Sequence, residues 1–507
     1  MNTSLNANRR AEELDLIANG EQVDLLVVGG GVTGAGTALD AASRGLSVCL
    51  IEAHDLAFGT SRWSSKLVHG GLRYLAKGDV GLAYESAAER GILMTTVAPH
   101  LTRPLPQLIP VYGRGAATGI AMAGLVAGDV LRRAARTPTS LLPAPRRIPT
   151  AEALALAPGL RRGGLRAGLL SFDGQLTDDA RLVVALARTA AGFGARVLTR
   201  VRATALWRNG ADARDELTGA TFSIRARAVV NATGVWAGEL VDSVRLRPSR
   251  GTHAVLAADR LGIRETALTV PIPGETNRFV LLLPQDDGRL YLGLTDEPVT
   301  GPLPDVPDVP ESDLDFLLSV ASSVLDVPLG RNDVLGAFAG LRPLVDQPGG
   351  GRSADLSRHH TVLTSPSGVV TVVGGKLTTY RRMAEDAVTA AVPSAPPSGT
   401  PTIPLVGAAD RRALSVMDEP RRLVARYGSE AGRVAALGAL DDELAVELAD
   451  RVTAAEVVWA VRHEGALTAD DVLDRRTRIG LVPADREKAM SAVSDLVSRS
   501  LAGLPDC

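Results

Sequence analysis

Aromatic side chains make up only 3% of this 507-residue chain, so its cores must be built mainly from valine, leucine and alanine. Two cysteines, Cys49 and Cys507, are too few for a disulfide framework. Cys49 also falls inside a run that reads as a buried strand, and both thiols fit a reducing cytoplasm. A formal net charge of −2 gives no electrostatic case for a nucleic-acid partner. No run reaches the ~18 apolar residues that a membrane-crossing helix needs. The nearest approach, Ala116–Leu131, contains Asp129 and is followed by Arg132, Arg133 and Arg136, which suits it to lying on a bilayer rather than crossing one. Residues 1–22 lack the basic start and apolar stretch of a signal peptide and read as an N-terminal arm. No internal repeat is present.

The most informative stretch that is present is Asp24–Glu52, DLLVVGGGVTGAGTALDAASRGLSVCLIE. Leu25–Val28 reads as a buried parallel strand, and Gly29, Gly31 and Gly34 follow at the spacing G-x-G-x-x-G where a helix begins. The first glycine permits the tight turn, the second lets backbone approach a pyrophosphate, and the third lets helix pack closely on strand. The helix N-terminus then faces a phosphate. Leu39, Ala42 and Leu46 continue a core-facing stripe, Gly45 ends the helix, and Ser47–Ile51 makes a second strand. Glu52 stands 18 residues after Gly34, where an acid can hydrogen-bond ribose hydroxyls. This is a dinucleotide-binding unit, and by itself it leaves NAD and FAD both open.

Thr60–Leu75, TSRWSSKLVHGGLRYL, concentrates Ser61, Ser64, Ser65, Lys66, His69, Gly70, Arg73 and Tyr74 in one short stretch. Its hydroxyls and amides suit a far phosphate and flavin ring, with His69, Arg73 and Tyr74 toward a reacting substrate. Two more strand-to-turn elements suit the same cofactor: Ala226–Val230 into Asn231-Ala232-Thr233-Gly234, and Gly368–Val373 into Gly374-Gly375-Lys376. Between them Gly251–Gly293 alternates β-prone runs with turns such as Asp286-Asp287-Gly288, which predicts an antiparallel sheet. Pro393–Pro404 reads as a linker. Beyond it the pattern is helical, with capping-box starts at Thr453-x-x-Glu456 and Thr468-x-x-Asp471. His359-His360 and His463-Glu464 lack further ligands at a metal-site spacing and read as surface residues, so no metal is expected.

GGGVTGAG, LAFGTSRWSSKLVHGGLRYL, VVNATGVWAG, AGLRPL and GGKLTTYR, in this order, closely resemble the FAD-dependent glycerol-3-phosphate dehydrogenases. The likeness runs from about residue 23 to 392, and DDVLDRRTRIGL resembles that family's C-terminal helical domain. The resemblance implies an α/β fold: a Rossmann-like FAD-binding domain (23–95, 165–245 and 335–392), an antiparallel β-sheet substrate cap (96–164 and 246–334), a linker (393–404) and a C-terminal helical domain (405–507). It implies non-covalent FAD, held also by Thr60, Leu67, Val201, Leu377 and Thr378. Covalent attachment through His69, known in relatives of the fold, is the disfavoured alternative.

The implied reaction is oxidation of sn-glycerol 3-phosphate to dihydroxyacetone phosphate, with hydride to flavin and electrons onward to a membrane quinone. Arg342, Arg73 and Lys376 are the candidates for the phosphate, with Tyr74 and Thr378 beside them. His69 and His253 both match family positions near the substrate, and either can be the base. The implied location is cytoplasmic, peripheral on the inner face of the cell membrane; a homodimer stays open. Two departures stand out: Pro284-Gln285-Asp286 lacks an aromatic residue common in the family, and residues 114–150 do not align with it. Competing readings are an oxidase that reduces oxygen directly and a non-catalytic FAD-binding sensor.

Overall fold

The computed structural model describes residues 2–75, 78–113, 116–275, 278–346 and 359–503, without the side chains of Leu72, Arg73, Ala116 and Ala117. Cys507 lies outside the described residues.

The first strand, Gln22–Val28, is the centre of an eight-stranded sheet. It pairs in parallel with Thr221–Asn231 on one side and Val48–Glu52 on the other. The register sets Val28 beside both Asn231 and Ile51, so the strands end together at Gly29, Ala232 and Glu52. Alternation sorts the first strand's side chains between two cores. Leu25 and Val27 pack with Ala35, Leu39, Val183 and Val388, under the helices Val32–Ser43, Asp179–Gly192 and Tyr380–Ala391. Leu26 and Val28 face the other way with Ile17, Cys49 and Val229. Cys49 is a fully buried free thiol whose pKa burial pushes up to about 12, which makes it inert. The N-terminal arm is mostly a helix, Ala7–Ala18, because Asn6 caps it and Ile17 gives it a buried anchor.

A second, ten-stranded sheet lies beyond. Ser249–Ala257, Phe279–Pro284 and Arg289–Gly293 supply the expected antiparallel core of it, and the last two form a hairpin turning at Gly288, whose φ is +82°. Thr102–Val111 pairs in parallel with Ala267–Pro271, so the sheet is mixed rather than wholly antiparallel. Leu67–Val68, Ala167–Leu176 and Val334–Arg342, which the sequence reading grouped with the nucleotide-binding segments, contribute strands to this sheet.

Residues 393–404 lie against the helix Val32–Ser43, with Ser398 donating to Asp40 and Arg44 donating to the carbonyl of Pro396. The C-terminal part is helical, led by Ala454–His463 and Pro483–Ala502 around Val457, Val461 and Val493. At Thr468 the capping box is closed in both directions through Asp471. The expectation that His463-Glu464 is a surface pair is corrected. Glu464 is fully buried and accepts from Arg181 at 2.6 and 3.2 Å, tying this part to the helix Asp179–Gly192. Burial pushes its carboxyl up, but Arg181 and Arg188 outweigh that and hold it down at about 2. His463 is half-buried against Trp459. His359 is exposed and hydrogen-bonded to Asp79, while His360 is part-buried on Asp386. Among the described residues no group of three or more metal-ligating side chains comes together.

Candidate functional site

One continuous cleft of about 1760 Å³ runs from the glycine turn to the second sheet. That is larger than the roughly 300–1,000 Å³ of a single small-ligand pocket. Nearly every site residue singled out in the sequence lines it, from Gly29, Gly31 and Glu52 through Thr60, Ser61, Ser64, Ser65, Leu67, His69 and Tyr74 to Gly374–Thr378. Val201, Ala232, Thr233, Gly234, His253 and Arg342 line it as well. Arg73 falls in the short helix Leu72–Leu75, and its side chain is outside the described residues.

Three candidates do not line the cleft. A Cβ on Gly34 would meet the carbonyl oxygen of Gly29 at 1.8 Å, so its glycine is needed for helix-on-turn packing. Gly70 donates its N–H to Asp173, and a Cβ there would strike the Arg90 guanidinium that pairs with the same carboxylate at 2.6 Å. Lys66 is buried with a positive φ of 57°, and its Nζ reaches Asp179 at 2.9 Å and the carbonyls of Arg62 and Ser64. Burial pushes the Lys66 ammonium down to about 8, with Asp179 opposing that shift. Lys66 is thus a lock on the loop behind the cleft wall, and Asp179 also takes the Ser64 hydroxyl at 2.7 Å.

At the turn, Gly31 is the helix N-cap and has no capping side chain of its own. Ser61 Oγ accepts from the Val32 N–H at 2.9 Å, bringing the second polar stretch onto the helix N-terminus. Glu52 braces the same turn, accepting from the Gly30 N–H at 2.6 Å and the His54 N–H at 2.8 Å, while burial raises its pKa. A Cβ-free turn, a helix N-terminus and a part-buried carboxylate facing one long cleft suit a dinucleotide's pyrophosphate and ribose. The residues present therefore fit FAD.

On the opposite wall, His253 sits on Ser249–Ala257 and Arg342 on the adjacent strand Val334–Arg342. His253 Nε2 shares a 2.8 Å hydrogen bond with Ser65 Oγ, and its ring stacks on Phe338 at 4.7 Å. Burial, aided by Lys66 and Arg342, pushes the imidazole pKa down to about 3, so it is neutral near pH 7. Arg342 is aimed by the carbonyl of Thr295 at 3.1 Å, by Ser249 Oγ at 3.2 Å and by Asp296 at 3.3 Å. Lys376 donates to Ser86 Oγ and lies 4.1 Å from the Tyr74 ring centroid. The sequence reading missed several participants: Asp296 and Ser86, which orient the cations, Trp236 and Arg278 on the cleft wall, and the stacked pair His54 and Phe58 beside Glu52. Of these, Trp236 and Phe58 carried a signal, through their places in VVNATGVWAG and LAFGTSRWSSKLVHGGLRYL.

Comparison with known proteins agrees with this geometry. Residues 24–381 match the family model described as FAD dependent oxidoreductase, and residues 398–502 match the C-terminal domain of alpha-glycerophosphate oxidase. Glycerol-3-phosphate dehydrogenase 1 of Mycobacterium tuberculosis is 53% identical over 510 residues, covering 98% of this chain and 99% of its own. The mitochondrial glycerol-3-phosphate dehydrogenase of Rattus norvegicus is 33% identical, covering 97% of this chain and 72% of its own. Among solved structures, the glycerol-3-phosphate dehydrogenase of Bacillus halodurans complexed with FAD aligns at a TM-score of 0.75 with 27% identity, over 98% of this chain and 96% of its own. The chain therefore belongs to the FAD-dependent oxidoreductases, in the glycerol-3-phosphate dehydrogenase family, with FAD as its cofactor.

Proposed function

We propose that the protein oxidises sn-glycerol 3-phosphate at its secondary alcohol to dihydroxyacetone phosphate and passes the electrons to a membrane quinone. The observation that carries this reading is the gathering of Arg342, Lys376, Tyr74 and His253 on one cleft that also contains the glycine turn. A phosphate dianion leaves water only where cations and donors replace its hydration. Arg342, held by three acceptors, and Lys376, held by Ser86, are pre-set for that task. Oxidation removes the hydroxyl proton and a hydride from the carbon that bears it, and bound FAD supplies the hydride acceptor. The neutral imidazole of His253 has a lone pair for the proton, and His69 lines the same cleft. A bound phosphate dianion offsets the cations that depress the His253 pKa, and so strengthens that base when substrate arrives. Arg342 also stabilises developing alkoxide charge.

Support for a membrane acceptor comes from the helix Ala116–Ala134. It lines the cleft through Ala121, Gly124 and Leu125 while exposing Ile120, Val126 and Val130 to solvent, with Arg133 and Arg136 at its end. An apolar face with basic flanks suits peripheral attachment to the inner face of the cell membrane. No helix among the described residues is long and apolar enough to cross a membrane. In an anaerobic titration of the FAD-loaded protein, glycerol 3-phosphate should bleach the flavin absorbance and glycerol should not. A soluble quinone should then restore the colour faster than oxygen. Stoichiometric oxygen consumption without quinone would overturn the dehydrogenase reading in favour of an oxidase, and failure to bleach would leave an FAD-binding sensor.

A further inference from the structure

Residues 53–66 form one wall of the cofactor cleft, through Ala53, His54, Phe58 and Ser61 among others. In front they are tied to the nucleotide turn: the Ala57 N–H donates to the Gly30 carbonyl at 2.9 Å and Ser61 meets Val32. Behind, they are gripped by the C-terminal part of the chain. Asp55, fully buried and three positions past Glu52, accepts from Arg475 Nε at 2.7 Å and from both terminal nitrogens of Arg476 at 2.9 Å. Arg475 is itself fixed by Asp471. Arg478 Nη2 donates at 2.6 Å to the carbonyl of Arg62, which also accepts from Lys66. Arg478 holds a left-handed backbone, φ +68°, as it enters this contact.

We propose that Arg475, Arg476 and Arg478 are positioning residues for FAD: docking of the C-terminal helical part onto Asp55 and the Arg62 carbonyl holds residues 53–66 in the shape that accepts the cofactor. Loss of the Arg476 guanidinium takes away two of the three side-chain hydrogen bonds that the buried Asp55 carboxylate accepts and leaves it sharing Arg475 with Asp471, so the segment carrying it is less firmly held and shifts toward water. That segment is the cleft wall, so its displacement costs cofactor affinity. Linkage makes the coupling reciprocal, and bound FAD must tighten the docking by the same factor. The inference rests on FAD as cofactor and is indifferent to the substrate.

The test is FAD titration of full-length apoprotein, followed by flavin fluorescence. Arg476→Met should weaken FAD binding at least tenfold. The control Arg188→Met/Glu430→Gln removes another ion pair to the C-terminal part, one made to the helix Asp179–Gly192 and not to residues 53–66, and should change Kd less than twofold. An unchanged Kd in Arg476→Met, or equal weakening in the control, overturns the proposal. Hydrogen exchange on the wild-type chain needs no variant to fold. FAD should slow amides in 471–478 together with those in 53–66, and protection confined to 53–66 would defeat the coupling. Absence of protection in both segments overturns the cofactor placement and the proposal with it.

Discussion

Arg342 shows how much of a residue's role depends on partners distant in sequence. Its neighbours in AGLRPL say only that a cation follows an apolar strand. Its direction comes from Ser249 on the neighbouring strand and from Thr295 and Asp296 in the connection that follows Gly293. If it pairs with a phosphate dianion in this desolvated cleft, Arg342→Ala should lower kcat/KM for glycerol 3-phosphate by the equivalent of about 2–4 kcal/mol. Steady-state kinetics with a soluble acceptor checks this, and an unchanged kcat/KM removes Arg342 from the site. Lys66 teaches the converse. Surrounded by hydroxyls in TSRWSSKLVHGG, it reads as a cofactor ligand, yet the ammonium is turned inward onto Asp179. Nothing local announces that pairing, because its carboxylate comes from a helix start far along the chain.

At the scale of elements, the strand–glycine–helix–strand unit was legible because its restraints are local. Turn, helix N-terminus and terminal acid lie within one short span and answer to sterics alone. Gly31 has an ordinary φ of −79°, so its glycine serves approach and not backbone strain. A Cβ there already meets Ser61 Oγ at 3.0 Å. Gly31→Val should therefore yield folded, flavin-free protein, with far-UV circular dichroism retained and flavin absorbance lost. Full FAD occupancy in that variant would sink the pyrophosphate assignment. The helix Ala116–Ala134 was legible only as an apolar stretch with basic flanks. Which residues it exposes depended on the sheet beneath it, and on Asp129, which turns inward to Arg132 at 2.7 Å. Val126→Glu/Val130→Glu should reduce co-sedimentation with anionic lipid vesicles while leaving dye-coupled turnover intact. Undiminished binding would move membrane contact elsewhere.

On the scale of the whole molecule, buried ionisable groups make stability depend on pH. Burial pushes His100 and His253 down to about 3, well below the ordinary histidine value of about 6.5 in the unfolded chain. Between those values the unfolded state binds more protons, so stability falls as pH drops from about 6.5 toward 3, by about 1.4 kcal/mol per pH unit for each histidine. Asp55 and Glu464, paired with arginines and held down at about 2, lose their contribution only at lower pH, as they protonate from about 4 downward. Thermal unfolding of the apoprotein should thus shift to lower temperature from about pH 7 to about pH 5, and His100→Gln should flatten that slope. An equal slope in His100→Gln would exclude His100 as a source.

What the sequence determined by itself was whatever short-range sterics and periodicity control: the nucleotide unit, the antiparallel hairpin at Asp286-Asp287-Gly288 and the closed capping box at Thr468; its motifs also named a set of residues most of which line the cleft. Tertiary structure alone decided which charges are buried and what they face. Lys66 with Asp179, Arg181 with Glu464, and Asp55 with Arg475 and Arg476 each join segments more than a hundred residues apart. A buried charge is tolerated only beside its partner, and which partner arrives is set by how the sheets and the C-terminal helices pack, a long-range outcome that no local pattern encodes.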